Sequence, residues 1–270
     1  ERLSKAGLLI QDTDWSMTGV LERCLRGDKK LPSTWLTPED PQGLQSRLAG
    51  VAEFAWPAGQ GGDLAQQIWH PMAGWVNPKR LIAAWLAHEN IALKTEQCVD
   101  DIYALDADVI VVACGYQTPD LLPSLKPLLQ PIRGQVECGK ADGLWLAKLP
   151  AYPVNGMGHF IQTPNTWLAG ATFQRNETGL SPRQKDFDLN FEKLDALLPM
   201  LGKSTLARLR ESSTSWVGIR AAQKNREPLV QKMKAFGHSD VWVCAGLGAR
   251  GLSLAALCAQ DLCVSVLGAG

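Results

Sequence analysis

Three glycines near the end of this 270-residue sequence constrain its fold most. Gly246, Gly248 and Gly251 form a G-x-G-x-x-G spacing directly after the apolar, β-branched run VWVCA (241–245) and directly before LSLAALCAQDL. Such an order suits a strand that enters a glycine turn and leaves as a helix. The glycines permit a tight reversal and close backbone approach, and a helix start offers free N–H groups. A complete dinucleotide-binding unit also needs a second parallel strand and an acidic residue roughly twenty positions on. Here only nineteen residues follow Gly251, and Asp261 lies ten past it. The turn is therefore either a packing device or a place where ligand oxygen meets a helix start. Spacing leaves both readings open.

The rest of the chain reads as mixed α/β. GWVNPKRLIAAWLAHEN (74–90) predicts a helix capped by Asn77, with Pro78 in its first turn and Leu81, Ile82, Trp85 and Leu86 on one face. IALKTE (91–96) predicts a short strand, and ADVIVVACG (107–115) a buried parallel strand ending at Gly115. Between 131 and 175, short strand-like runs, GLWLAKL among them, alternate with turn residues. Asn155-Gly156 marks a hairpin, which predicts an antiparallel sheet. Residues 181–201 predict a helix opened by Ser181 and Pro182, and 212–223 another strand. Residues 1–70, rich in Pro and Gly clusters, predict loops around short elements.

Composition removes several alternatives. Twenty-seven basic residues balance twenty-seven acidic ones, so any attraction to a polyanion has to be local. The seven cysteines (24, 98, 114, 138, 244, 258, 263) form no C-x-x-C pair and mostly sit in apolar runs, which predicts buried reduced thiols and a cytoplasmic protein. His70, His88, His159 and His238 stand apart from one another and from the cysteines, so no metal site is expected. No uninterrupted apolar stretch reaches eighteen residues, and no membrane span is expected. The start at Glu1 has no signal-peptide layout and reads as a fragment or an incomplete front end.

The blocks GWVNPKRL, ADVIVVACGYQT, PIRGQV, TWLAGATFQRNET, SWVGIRAAQKNREPLV and VWVCAGLGARGLSLAALCA occur in an order that resembles the FAD-dependent D-amino-acid-oxidase-like family. IQDTDWSMTGVLE near the front resembles the family's tRNA-modifying members in particular. The resemblance implies an FAD-binding layer interleaved with an antiparallel substrate lobe. The expected organisation is substrate-lobe segments at 1–73, a cofactor-domain helix and strand at 74–130, an antiparallel lobe with a helix at 131–211, and a return to the cofactor domain at 212–270. It further implies that the turn at 246–251 closes over the flavin, and that the amino-terminal βαβ holding the FAD pyrophosphate, half the usual site, is missing from this sequence.

Through the same resemblance, Gly115, Gly246, Gly248, Ala249, Arg250, Gly251 and Leu252 are expected at the cofactor, with Arg250 at the flavin edge or in solvent. Arg220 of GIRAA is expected to anchor a substrate carboxylate, since a guanidinium fork suits two carboxylate oxygens. Arg133 and Gln135 border the flavin or serve the fold, as do Trp75 and Asn77. The implied reaction removes the carboxymethyl group of 5-carboxymethylaminomethyl-(2-thio)uridine in tRNA to leave the 5-aminomethyl form, in a parent that can carry a methyltransferase domain. Lys203, Arg208, Arg210, Arg220, Lys224, Arg226, Lys232 and Lys234, against Glu211 and Glu227, offer a basic stretch for tRNA phosphates or a merely solvated face. The alternatives are a free glycine, sarcosine or D-amino-acid oxidase, and a non-catalytic tRNA- or protein-binding remnant without FAD.

Overall fold

A computed structural model of the chain describes residues 2–23, 67–141, 149–233 and 239–268. Among them run β1 (Trp15–Ser16), β2 (Val20–Arg23), β3 (Gln67–His70), β4 (Trp75–Val76), β5 (Val109–Val112), β6 (Gln130–Lys140), β7 (Val154–Asn155), β8 (His159–Gln162), β9 (Thr166–Gly170), β10 (Gln174–Arg175), β11 (Thr214–Ala222), β12 (Leu229–Lys232) and β13 (Asp240–Ala245). The helices are α1 (Arg2–Lys5), α2 (Pro78–Leu86), α3 (Thr118–Leu121), α4 (Gln184–Leu197), α5 (Gly202–Glu211) and α6 (Gly251–Leu267). The chain divides into two compact units. Unit 1 comprises Glu1–Ile91, Gln135–Thr172 and Pro182–Trp216, and unit 2 comprises Ala92–Gly134, Phe173–Ser181 and Val217–Gly270.

In unit 1 the strand order is β6-β9-β8-β7-β2-β3. The β7–β8 hairpin pairs Asn155 with His159, so the Asn155-Gly156 signal marks the reversal. Helix α4 covers β8 and β9 because Phe187, Asn190, Phe191, Leu194 and Leu197 recur at helical spacing. They meet Val154, Phe160 and Trp167, all fully buried. Removing a buried aromatic such as Phe160 typically costs about 3–5 kcal/mol. Asn190 tolerates this apolar stripe by donating to the Gln135 carbonyl and to Glu137 Oε1, each at 3.0 Å. Helix α2 also belongs to unit 1. Asn77 caps it through Lys79 and Arg80 N–H groups, its own N–H donates to the Asp14 carbonyl, and Arg80 pairs with Asp14 at 3.0 Å.

Unit 2 holds a three-stranded sheet of order β12-β13-β5. Strands β13 and β5 are parallel, with Val243 opposite Val112. Ile110, Val112, Val241, Val243, Leu125 and Leu129 form its core. Helix α6 contacts β12 and β13, burying Cys258 and Leu262.

Several sequence expectations need correction. Residues 91–96 form no strand, and Ile91 and Leu93 are exposed, because alternation alone supplies no pairing partner. Strand β5 is buried on one face only: Ile110 and Val112 point into the core while Val109 and Val111 are exposed. On α2 the buried residue is Ala84, and Ile82 and Trp85 are exposed. Ser181 and Pro182 precede α4, which starts at Gln184 without a side-chain cap and ends at Leu197, and Pro199 opens a separate 3-10 turn, Pro199–Leu201. Of the cysteines, Cys98, Cys114 and Cys263 are exposed; Cys114, for instance, lies beyond the last paired residue of β5. The segment Gly248–Leu267, with mean hydropathy 1.4, is by length and composition able to cross a membrane, although charged residues interrupt it and Cys258 and Leu262 dock it on the sheet. Cys24, Lys234, His238, nearly all of GLWLAKL and the Pro/Gly clusters at 31–43 and 56–63 lie outside the described residues.

Candidate functional site

Strand β13 ends in the anticipated turn. Gly246 has φ 74° and Gly248 φ 59°, conformations that a side chain disfavours. A Cβ on Gly246 would also press on Leu129 and Gln223, at 3.2 and 3.3 Å. Gly251 is different. Its φ of −53° is helical and a Cβ there would meet nothing within 4 Å among the described residues, so neither backbone nor their packing requires glycine at this position. Leu247 bridges to Ala222 at the end of β11, and Arg250 donates to the Arg226 carbonyl, tying the glycine turn to the 223–227 turn.

Between these two turns opens a cavity of about 740 Å³ within unit 2. Gly246, Gly248, Ala249 and Arg250 line it together with Phe173, Arg175, Lys224 and Arg226. Four cationic side chains thus surround a glycine turn at the start of a helix that has no acidic residue in its first turn and no side-chain cap. Unsatisfied helix N–H groups and positive charge together favour an anionic or carbonyl-rich ligand. Arg175 and Phe173 escape motif reasoning. Their only sequence signal is membership of the TFQR block, and pairing of Arg175 with Ile132 of β6 brings them to the cavity.

Arg220 lies on the same face of β11 as Ala222, a cavity-lining residue. Its guanidinium carbon sits 5.6 Å from the Phe173 ring centre. Nη1 is buried and has no hydrogen-bond partner among the described residues. Burial pushes the guanidinium's pKa down from its ordinary value, yet it stays cationic at neutral pH. An unsatisfied buried donor typically costs about 1–3 kcal/mol, so Arg220 is poised for an acceptor that the described residues do not supply.

Gly115 follows β5, and Gly246 follows β13, both at the carboxyl ends of parallel neighbours. Crevices at such strand ends are the usual ligand sites of open α/β sheets. Gly115 nevertheless does not line the cavity, nor do Gly251 and Leu252. Arg133 and Gln135 are structural. Arg133 is fully buried and donates to the Gly179 and Ser181 carbonyls, each at 2.7 Å, and to Gln174 Oε1 at 2.9 Å. Gln135 donates to Glu137 and the Arg183 carbonyl and accepts from Arg183 N–H. Trp75 and Asn77 belong to unit 1. The basic stretch is divided between the two units. Lys203, Arg208 and Arg210 lie on α5 in unit 1, Arg210 pairs with Asp188, and Lys232 pairs with Asp240 at 2.7 Å. Among the described residues no group of three or more His, Cys, Asp or Glu converges.

Residues 5–263 match the profile of the FAD dependent oxidoreductase (DAO) family, and the chain belongs to that family. Among curated relatives, the tRNA 5-methylaminomethyl-2-thiouridine biosynthesis bifunctional protein MnmC of Polaromonas naphthalenivorans (strain CJ2) is 33% identical over 298 residues, covering 98% of this chain and 46% of the relative. MnmC of Paracidovorax citrulli (strain AAC00-1) is 31% identical, again over 98% of this chain and 46% of the relative. The chain therefore spans about half the length of the curated relatives it matches. Solved structures of the same fold include glycine oxidase from Geobacillus kaustophilus, with TM-score 0.65, 17% identity, and 97% of this chain and 74% of that one covered. Another is iminodiacetate oxidase (IdaA) from Chelativorans sp. BNC1, with TM-score 0.61, 18% identity, and 94% and 73% covered.

Proposed function

We propose that this chain is the oxidoreductase part of a cytoplasmic tRNA-modifying flavoenzyme. In this reading it oxidatively removes the carboxymethyl group of 5-carboxymethylaminomethyl-(2-thio)uridine, giving 5-aminomethyl-(2-thio)uridine and glyoxylate. Its parent can carry a methyltransferase domain, a reading that the word bifunctional in the relatives' name supports. The observation that carries the reading is Arg220: a cation with a buried, unpartnered nitrogen beside an exposed aromatic and a glycine-lined cavity. A substrate of this kind is an N-substituted glycine, and its carboxylate would give the guanidinium fork the acceptor it lacks.

The residues present fit the flavin end of FAD. A Cβ on Gly251 would meet open space, and one on Gly248 only the Ala222 methyl at 3.5 Å, so backbone is left bare where a ring system would need close approach. Gly246, Gly248, Ala249 and Arg250 would hold that end, with Gly251 and Leu252 at the helix start and Gly115 just past the end of the neighbouring strand. The pyrophosphate end would be held by residues other than these. Bound FAD would supply the acceptor for the hydride leaving the carbon next to nitrogen. The chain's own work is positional. Arg220 fixes the carboxylate, Phe173 offers an apolar wall, and partial exclusion of water keeps the amine in its neutral, oxidisable form.

Replacing Arg220 with Met tests this directly. Loss of a desolvated partner costs about 2–5 kcal/mol, or roughly thirty- to several-thousand-fold in catalytic efficiency. Arg220→Lys should recover only part, because it restores charge without the fork. A near-normal rate of single-turnover flavin reduction by modified tRNA in Arg220→Met would remove Arg220 from the site.

A further inference from the structure

The space beside Arg220 is set by a neighbour that motif reasoning passes over. Strand β6 pairs with β11, and Gly134 of PIRGQV faces the guanidinium. A Cβ built on Gly134 would lie 2.3 Å from Arg220 Nη1 and 3.0 Å from both Cζ and Nη2. All three atoms belong to the far end of one flexible side chain, and no backbone atom is among them. Gly134 has no positive φ to explain its identity. We infer that Gly134 is a positioning residue: its missing side chain is the seat in which the Arg220 guanidinium rests, beside the Phe173 ring, with its fork oriented for a carboxylate. The inference rests on the proposed carboxylate role of Arg220 for its purpose, though not for its geometry.

A methyl group at Gly134 should leave the fold in place and displace the guanidinium, since the side chain can yield where backbone could not. A misplacement of about 1 Å can cost a hundredfold in a positioned site. Two readouts separate the possibilities. The first is the guanidinium ¹⁵N signal of Arg220 in the purified protein, assigned by its loss in Arg220→Ala. The second is calorimetric affinity for methoxyacetate, an oxygen analogue of N-methylglycine that cannot become an imine.

Gly134→Ala should move the Arg220 signal and weaken methoxyacetate by about ten- to a hundredfold. The same change should add nothing in an Arg220→Ala background, where there is no guanidinium to displace. An unmoved signal, or an equal further loss in that background, would overturn the inference. Should Gly134→Ala alone not fold, the Gly134→Ala/Arg220→Ala double variant is expected to fold. Its failure too would show that Gly134 is required by packing other than Arg220. If Arg220→Ala binds methoxyacetate normally, the carboxylate reading fails by itself, and the ¹⁵N signal still decides the role of Gly134.

Discussion

Arg133 and Arg220 are the same residue type on paired strands, and they do opposite things. Arg133 donates from all three of its guanidinium nitrogens, to Gln174 of β10 and to the Gly179 and Ser181 carbonyls of the loop that follows. Arg133→Met would remove three hydrogen bonds made by a fully buried cation to acceptors that water can still reach, and should lower stability by about 3 kcal/mol in urea melts. Arg220→Met should leave urea stability nearly unchanged or slightly higher, because it removes a half-buried cation whose Nη1 has no acceptor among the described residues. Sequence could not separate the two. Each sits in a strand beside glycine or a small residue, and only the partner list tells a clamp from a poised ligand. Asp14 is a third case. The Ile10 N–H and then Arg80 hold its carboxyl below the ordinary aspartate value, against the opposing effect of burial. A depressed folded pKa stabilises above the unfolded value and fades as pH falls through the folded one. Urea midpoints of the wild type should therefore drop below about pH 4 more steeply than those of Asp14→Asn. Parallel profiles would remove Asp14 from the acid response.

At the scale of elements, strand–turn–helix at 240–267 and the parallel strand at 109–112 were legible because β-branched runs ending in glycine have few other uses. The Asn155-Gly156 reversal was legible from turn chemistry. IALKTE misled because its alternation resembles a strand while its apolar side chains stay exposed, and pairing is a long-range property. The glycine fingerprint was legible as a turn but not in its parts. Gly246 and Gly248 are demanded by positive φ, whereas Gly251 is demanded by nothing in the described structure. The two kinds should respond differently. Gly248→Val should cost the fold about 1–2 kcal/mol through its left-handed backbone, so loss of flavin there is not diagnostic. Gly251→Ala should stabilise the cofactor-free protein by up to about 1 kcal/mol and still weaken FAD retention. Equal or tighter FAD binding by Gly251→Ala would place the helix start away from the cofactor.

For the whole molecule, the zero formal charge conceals an uneven distribution. The linear run of basic residues at 203–234 divides between the two units, with α5 in unit 1, and Arg210 and Lys232 in it are paired to acids. Arg175 and Arg250, distant from that run in sequence, join Lys224 and Arg226 around the cavity. A one-dimensional charge count cannot find such a cluster, because it is assembled by β10 pairing and by the closing turn. If these groups meet tRNA phosphates, reversing Lys224 and Arg226 to Glu should weaken tRNA binding and reduce the slope of log K against log salt by about one unit per residue. An unchanged slope would assign them to solvent or to the cofactor alone.

Substrate identity is the property that joins cavity, arginine and basic rim into one function, and anaerobic rapid mixing of the FAD-loaded full-length protein measures it. Transfer RNA bearing 5-carboxymethylaminomethyl-uridine should bleach the flavin in a single turnover and release one glyoxylate per flavin reduced, while glycine and sarcosine at the same concentration bleach it far more slowly. Bleaching by the free amino acids alone, or a protein that cannot retain FAD at all, would contradict the assignment to tRNA oxidation.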